Sequence, residues 1–509
     1  MSMGVRFYRL WQLATCYSLY VLFILMMVYL VNQMDRFVLG VTAQESAKSL
    51  RYGEQSCIKK DLGASTIQCR KIKVKENCTS IEYNSSCIWD YNGQGIEYQV
   101  LAGPVFVVVF SFAVVVMGIV AEVGRVNRPK VLALFVFLWS LATFLMGFTN
   151  AYWELAVLRM SLGIFESVCT PFSVSIISNY FEKRIRASAM AILNWGIYGG
   201  FSLAFAFKYL VLVDGWRWAF RVAGMPGIIL AVILFFTVKE RDRNYRQVRV
   251  SSQISELCRV LRLFLSPSLV FLSIAGGIRN GAGLVFAYNV DSFFTQYRDT
   301  NSAHYMSWVP LVGGTIGSLL GGILSDRAAN LYGHTGRMMV LVVSQFVAAP
   351  LAFGVLSISN PTGAFVCLLV SYVVGEMWIG VCLTVVVELQ RRKSTSAVAI
   401  YMFVINMLGG NMVVLVAPLS SLPGWDLHDS LLVLYPGMYL LSSFLFCVTL
   451  CVIRRLRRER TDSSLSEYSI TGSQEAELVS SPVCCHTQLS PELNNPEECE
   501  SLIPSPEIN

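Results

Sequence analysis

The sequence predicts an all-α polytopic membrane protein of twelve transmembrane helices in two six-helix bundles. Three observations carry this. Of 509 residues, 54% are hydrophobic and only 14% are charged, whereas soluble domains carry about 25% charged residues. The apolar residues fall in runs of roughly twenty, the length that crosses a bilayer as a helix. Lys and Arg cluster after every second run, the pattern expected when both chain ends face the cytoplasm. Helices are required because lipid cannot satisfy exposed backbone groups. A barrel would show short alternating strands instead.

In order, residues 1–12 form a cytoplasmic N-terminus with Arg6 and Arg9. Residues 13–240 form the first bundle, with predicted spans at 13–41, 100–120, 131–148, 153–180, 187–212 and 218–238. Between the first two lies a lumenal or extracellular loop, 42–97. A basic cytoplasmic linker follows at 241–264. The second bundle, 265–453, has predicted spans at 269–294, 306–324, 338–356, 364–387, 398–419 and 431–453. Residues 454–509 begin with a basic run. From Thr461 they become rich in Ser, Glu and Pro, which predicts a disordered cytoplasmic tail. The first apolar run is too long for a cleavable signal peptide, and no small-residue cleavage site follows it.

The net charge of +7 reports membrane orientation rather than nucleic-acid binding, because the basic residues sit in short loops between apolar runs. The four His (His304, His334, His428, His486) fall in or near loops or in the tail. No ligand cluster emerges, so neither a metal nor another cofactor is expected. No catalytic cluster emerges either, so the chain does not read as an enzyme.

Loop 42–97 holds Cys57, Cys69, Cys78 and Cys87, and sequons at Asn77 and Asn84. Disulfides and glycans belong to the same side of a membrane. Four Cys permit three pairings, and the sequence does not choose among them. At the opposite side, a short pattern recurs. Gly118-Ile-Val-Ala-Glu122 closes the second span, with Arg125 beyond it. Gly322-Ile-Leu-Ser-Asp326-Arg327 closes the eighth. Glycine allows helices to approach closely, and the acid suits a helix N-terminus or an Arg. These six residues are expected to form a cytoplasmic gate. Their recurrence signals a repeated six-span unit.

Ionisable residues are costly in lipid and survive where they face a bundle interior or a water-filled cavity. The first and fourth spans of both halves carry them: Asp35 and Arg36, Arg159 and Glu166, Arg279, and Glu376. Arg159, Gly163 and Glu166 share one helix face by their spacing of four and seven. Asn194, Asn280, Tyr288, Trp378 and Asn406 add polar or aromatic groups nearby in depth. The bland alternative is that these charges pair within each half and only fix packing. Their placement on four corresponding helices favours a cavity. Asp35 is expected to pair with Arg36 or Arg159, which would set its proton affinity. In the tail, Glu498 precedes Leu502-Ile503 in a pattern that resembles an acidic dileucine signal read by clathrin adaptors.

Together these residues resemble the major facilitator superfamily. The resemblance covers residues 13–453, through the twelve spans, the paired Gly-x-x-x-acid turns, Arg159-x-x-x-Gly163, and Gly215-Trp-Arg-Trp-Ala-Phe220. It implies that spans 1, 4, 7 and 10 line a central cavity. Asn32-Gln-Met-Asp35-Arg36 with Arg159-x-x-x-Gly-x-x-Glu166 is similar to the spinster-like branch. That similarity implies proton-coupled movement of lysophospholipids or sphingolipids, with Asp35 as proton carrier and Glu166 as a coupled acid. Two departures stand out. Loop 42–97 is longer than usual in that branch and resembles the glycosylated loop of organic-ion carriers. Glu122 replaces the usual Asp, and Val123-Gly124 replaces a basic start.

The expected function is therefore secondary active transport by alternating access, proton-coupled, of an anionic or zwitterionic small molecule or lysolipid. Arg36, Arg159, Asn194, Arg279, Asn280, Tyr288, Glu376, Trp378 and Asn406 would line the substrate cavity. The expected partners are the substrate, protons, the bilayer and clathrin adaptors. The expected state is a monomer in a lysosomal, late endosomal or plasma membrane. An organic-ion carrier or uniporter of the same superfamily is one alternative. A non-transporting membrane sensor or scaffold is another.

Overall fold

The computed structural model describes residues 16–59, 69, 72, 74–79, 87–123, 126–181, 183–240, 266–389 and 394–479. Among these, twelve helices are long and apolar enough to cross a membrane. Spans 1 to 6 are Cys16–Leu50, Ile96–Gly118, Arg128–Met146, Tyr152–Tyr180, Ala189–Asp214 and Trp216–Thr237. Spans 7 to 12 are Pro267–Tyr297, Ala303–Tyr332, Thr335–Ser357, Pro361–Leu389, Ala397–Ser420 and Leu427–Leu456. The chain is thus a multi-pass membrane protein, and its spans up to Ile453 form one compact unit.

The helices outrun the apolar runs that predict them. Span 1 continues nine residues past Val41, because the polar side chains there bond back to the helix. The Thr42 hydroxyl donates to Val38 O and the Ser46 hydroxyl to Ala43 O, a local arrangement open to Ser and Thr. The start of loop 42–97 is therefore helix. Span 8 likewise runs to Tyr332, eight residues beyond its predicted end. The last helix extends from Leu427 to Val479, so residues 461–479 are helical where the sequence predicts a disordered tail. Predicted features at 1–12, Asn84, Arg125, 241–264 and the Glu498, Leu502 and Ile503 motif lie outside the described residues.

After span 1, strands β1 (Gln55–Lys59) and β2 (Cys87–Tyr91) pair antiparallel with Cys57 opposite Trp89. Of the three possible pairings, the structure has Cys57–Cys78 and Cys69–Cys87. This bridged hairpin caps one end of the spans, the end that the sequence predicts to be the outer one.

Small residues bring the helices of each bundle together. Gly200 of span 5 rests on span 1, where an added Cβ would meet the Leu30 carbonyl and would lie 3.0 Å from Met34 N. Gly409 of span 11 does the same on span 7, with a Cβ 2.7 Å from Gly277 O and 2.8 Å from Gly281 N. Spans 5 and 11 are fifth-position counterparts in the two repeats, so one packing device is used twice. Without a hydrophobic drive in lipid, close backbone approach is what holds such helices together. The gate glycines behave otherwise. A Cβ at Gly118 or Gly322 would meet nothing within 4 Å. The close contact on span 8 comes instead from Gly317 and Gly321, which face Val373 O and Met377 O of span 10.

Gly200→Val should therefore lower the thermal denaturation midpoint of the purified protein, with an overpacking cost of about 1–3 kcal/mol. Gly437→Ala, whose Cβ meets nothing within 4 Å, should leave it unchanged. Equal midpoints for the two variants would contradict this packing.

Candidate functional site

Spans 4 and 10 both break at an acid. Span 4 consists of Tyr152–Glu166 and Cys169–Tyr180. Span 10 consists of Pro361–Gly375 and Trp378–Leu389, with Glu376 between them. Each acid meets an Arg from the first helix of its own half. Arg36 of span 1 donates from Nε and Nη2 to Glu166 Oε2, at 3.2 and 3.0 Å. Arg279 of span 7 donates from Nη2 to Glu376 Oε1 and to Gly375 O, both at 3.0 Å. Both guanidinium groups also stack on two aromatic rings. Arg36 lies 4.7 and 4.6 Å from the ring centres of Phe106 and Phe110. Arg279 lies 4.5 and 5.4 Å from Tyr439 and Trp378. Charge pairing and ring faces together replace the water that a buried cation loses.

Arg36 of the first pair and both members of the second face one cavity of about 190 Å³ between the halves. Arg36, Arg279, Asn280, Tyr288, Glu376, Trp378 and Asn406, all expected from the sequence, line it. Asn280 is held by Ile405 O and Asn406 by Met402 O. The first half supplies an aromatic wall from Phe37, Phe106, Phe110 and Phe201, which no charge or spacing signalled in the sequence. The volume is below the roughly 300–1,000 Å³ of drug-sized ligand pockets, so it suits a compact polar group in this conformation.

Other expected cavity residues lie elsewhere. Asn194 is exposed and lies outside the cavity lining. Glu166 sits behind Arg36, with a side chain that is 0% exposed. Arg159 is fully buried and donates from Nη2 to Arg36 O at 2.8 Å and to the Tyr288 hydroxyl at 3.0 Å. Asp35 is fully buried, and neither carboxylate oxygen has a hydrogen-bond partner among the described residues. The nearby Thr143 hydroxyl donates to Trp139 O instead. The expected Asp35 pair with Arg36 or Arg159 is thus replaced by Arg36–Glu166. Adjacent helical residues point about 100° apart, so Arg36 reaches the cavity while Asp35 turns into its own bundle.

At the outer end, polar contacts join the two halves. Lys208 of span 5 donates to Asp291 Oδ2 of span 7 at 2.7 Å and to Val41 O at 3.3 Å. Ser302 completes the second Asp291 oxygen at 2.6 Å. Gln99 donates to Asn289 at 2.8 Å, and the Tyr98 hydroxyl to Tyr288 O at 2.6 Å. The bridged hairpin adds Lys59–Asp299 at 2.8 Å. Lys208 is a residue that the sequence could have flagged, since a lone Lys in an apolar span needs a partner. At the inner end, the charge pairs among the described residues stay within one half. Arg337 of span 9 holds Asp326 of span 8 at 2.7 Å and Glu388 of span 10 at 2.9 Å. Asp326 therefore pairs with a neighbouring Arg, while Arg327 is exposed. Glu122 lies in the helix Pro104–Val123.

The expected lining by spans 1, 4, 7 and 10 holds for spans 1, 7 and 10, whereas span 4 stands behind span 1 and its place is taken by residues of spans 2, 5, 8 and 11. A duplicated six-helix unit around one central cavity defines a class of polytopic membrane protein. A family model described as Major Facilitator Superfamily matches residues 25–414, and the chain belongs to that superfamily. It is similar to protein spinster of Drosophila melanogaster, 26% identical over 276 residues that cover 51% of this chain and 45% of spinster. It is also similar to the sphingosine-1-phosphate transporter SPNS2 of Danio rerio, 29% identical over 178 residues that cover 34% of this chain and 35% of SPNS2. The chain spans about half the length, or less, of these curated relatives. Among solved structures, a bacterial homolog of the human lysosomal transporter spinster, inward-facing and occupied, superposes with a TM-score of 0.63. It is 18% identical and covers 87% of this chain and 98% of its own, a likeness of fold.

Removing one member of a buried pair strands the other, so Glu376→Ala, which leaves Arg279 with a side chain only 1% exposed, should destabilise the protein by about 3 kcal/mol. Glu166→Ala should cost less, because the stranded Arg36 is 15% exposed and lines the cavity, where water can reach it. Thermal denaturation of the purified variants checks this, and a larger loss at Glu166 would contradict the burial argument.

Proposed function

We propose that the chain is a secondary active transporter that works by alternating access and couples transport to protons. The observation that supports this most is the placement of one acid-paired Arg from each half on a single cavity, with the outer contacts between halves formed. In this conformation the outer side is the closed side. Opening it requires the Lys208–Asp291 and Lys59–Asp299 pairs to separate.

The substrate is an anionic or zwitterionic amphiphile of the lysophospholipid or sphingolipid type. Arg279, Asn280 and Asn406 offer donors for a charged headgroup, and the facing wall of phenylalanines offers apolar surface. The naming of similar proteins as sphingosine-1-phosphate transporters agrees with that division. A headgroup anion would compete with Glu376 for Arg279, which gives the substrate a direct way to rearrange the pair.

Asp35 is the proton carrier and Glu166 the acid coupled to it. A buried carboxylate without a partner is costly as an anion, and Asp35 has that surrounding here. A change in the helices around it would alter its demand for a proton. The bridged, sequon-bearing hairpin faces the lumen of a lysosome or late endosome, or the outside of the cell, and Asn77 carries a glycan there. The tail motif at Glu498, Leu502 and Ile503 recruits clathrin adaptors and directs the chain to endosomal membranes.

In proteoliposomes with an imposed proton gradient, Asp35→Asn should reduce gradient-driven uptake at least about tenfold, a loss of about 1.4 kcal/mol or more, while substrate binding persists. Lysophosphatidylcholine and sphingosine-1-phosphate should be taken up by the unaltered protein, and benzoate-sized organic anions should not. Intact gradient-driven uptake in Asp35→Asn would end the proton assignment. Uptake of the small anions alone would replace the amphiphile by an organic ion.

A further inference from the structure

The two ion-pair networks are not sealed within their own halves. Each is reached by one tyrosine hydroxyl from the opposite half. Tyr288, on span 7 of the second half, accepts a 3.0 Å hydrogen bond from Arg159 of the first half, the same guanidinium that donates to Arg36 O. Tyr198, on span 5 of the first half, donates to Glu376 Oε2 at 3.3 Å, the acid whose other oxygen holds Arg279. Both tyrosines line the cavity, and both are less than one tenth exposed.

Each ring is also seated beside a glycine of the half it crosses into. A Cβ at Gly314 of span 8 would run into the Tyr198 ring. A Cβ at Gly40 of span 1 would lie 3.7 Å from Tyr288 Cα and 3.8 Å from its ring. Tyr288 further packs on Phe37 of span 1, with ring centres 5.4 Å apart. The crossing is therefore built twice, once in each direction, with a hydroxyl on a charged group and a ring beside a glycine.

We propose that Tyr198 and Tyr288 are reciprocal latches that tie the state of each charge network to the closure of the interface. They act as positioning residues, because each works through the charged group that it touches. A ligand or proton that rearranges Arg279–Glu376 takes away the acceptor of Tyr198. A rearrangement of Arg36, Arg159 and Glu166 takes away the donor of Tyr288. Either event loosens the contact between halves beside the cavity, and so lowers the cost of separating the outer ion pairs. This deepens the transporter reading and rests on it for its role, but the latches themselves are a matter of conformational equilibrium.

The test reads that equilibrium without a substrate. Spin labels at Val213→Cys and Leu422→Cys, both exposed at the outer end, report the separation of the halves by pulsed electron resonance. The other free cysteines are replaced by Ser. Loss of one buried hydrogen bond shifts a two-state equilibrium about fivefold, so Tyr198→Phe and Tyr288→Phe should each raise the long-distance population by that factor. Gly314→Ala, which displaces the Tyr198 ring, and its hydroxyl with it, without removing the hydroxyl, should shift it the same way. Tyr439→Phe, whose ring stacks on Arg279 within one half, should not. Unchanged populations in both tyrosine variants, or an equal shift in Tyr439→Phe, would overturn the latches. The labels need no transport, so intact gradient-driven uptake in Asp35→Asn would remove the proton coupling and leave this result standing.

Discussion

A charged side chain in a lipid-spanning helix must find its counter-charge inside the protein, and that constraint shapes this structure. In each half, an Arg of the first helix meets a Glu at the break of the fourth. Arg36–Glu166 and Arg279–Glu376 have the same 3.0 Å separation and the same aromatic padding. The breaks in spans 4 and 10 fall where these acids must turn toward their partners. The cavity lies between Arg36 of one pair and the Arg279–Glu376 pair of the other half. A pair that is formed but rearrangeable is a suitable element for a machine with two states, since interfaces of this kind have discrete alternatives rather than a continuum.

The remaining contacts sort by which state they favour. Glycine contacts such as Gly200 on span 1 and Gly409 on span 7 lie within a half and keep each bundle rigid. Lys208–Asp291, Gln99–Asn289 and the hairpin pair Lys59–Asp299 cross between halves and keep the outer side shut. The two disulfides stiffen the strap that carries Lys59, so one side of that contact is rigid when the halves part. Stability within a half and reversibility between halves thus come from different residues.

Much of this was legible in the sequence. Twelve spans, the repeat of six and the charged helices 1, 4, 7 and 10 all follow from the cost of polar groups in lipid, which acts on composition alone. The cavity residues Arg279, Asn280, Glu376, Trp378 and Asn406 were found for the same reason. What the sequence could not show was rotation about a helix axis at one-residue precision. Asp35 and Arg36 are neighbours in the chain, yet only Arg36 turns to the cavity. The breaks at Glu166 and Glu376, Tyr198 and the phenylalanine wall carry no charge pattern to reveal them, and Tyr288 is expected in the cavity but not in contact with Arg159. Span 1 was ended too early because Thr42 and Ser46 look like loop residues, while their hydroxyls are satisfied by the helix itself. Gly118 and Gly322 were read as contacts from spacing, and spacing does not say which face is covered.

The central claim is that each Arg and Glu act as one unit. A double-mutant cycle on Arg36 and Glu166, with both residues changed to Ala singly and together, tests it most directly by equilibrium stability. The same cycle on Arg279 and Glu376 repeats the test in the second half. The structure predicts a coupling of about 1–3 kcal/mol within each pair, with the double variants more stable than the sum of the single losses allows. Strictly additive losses within both pairs would contradict it.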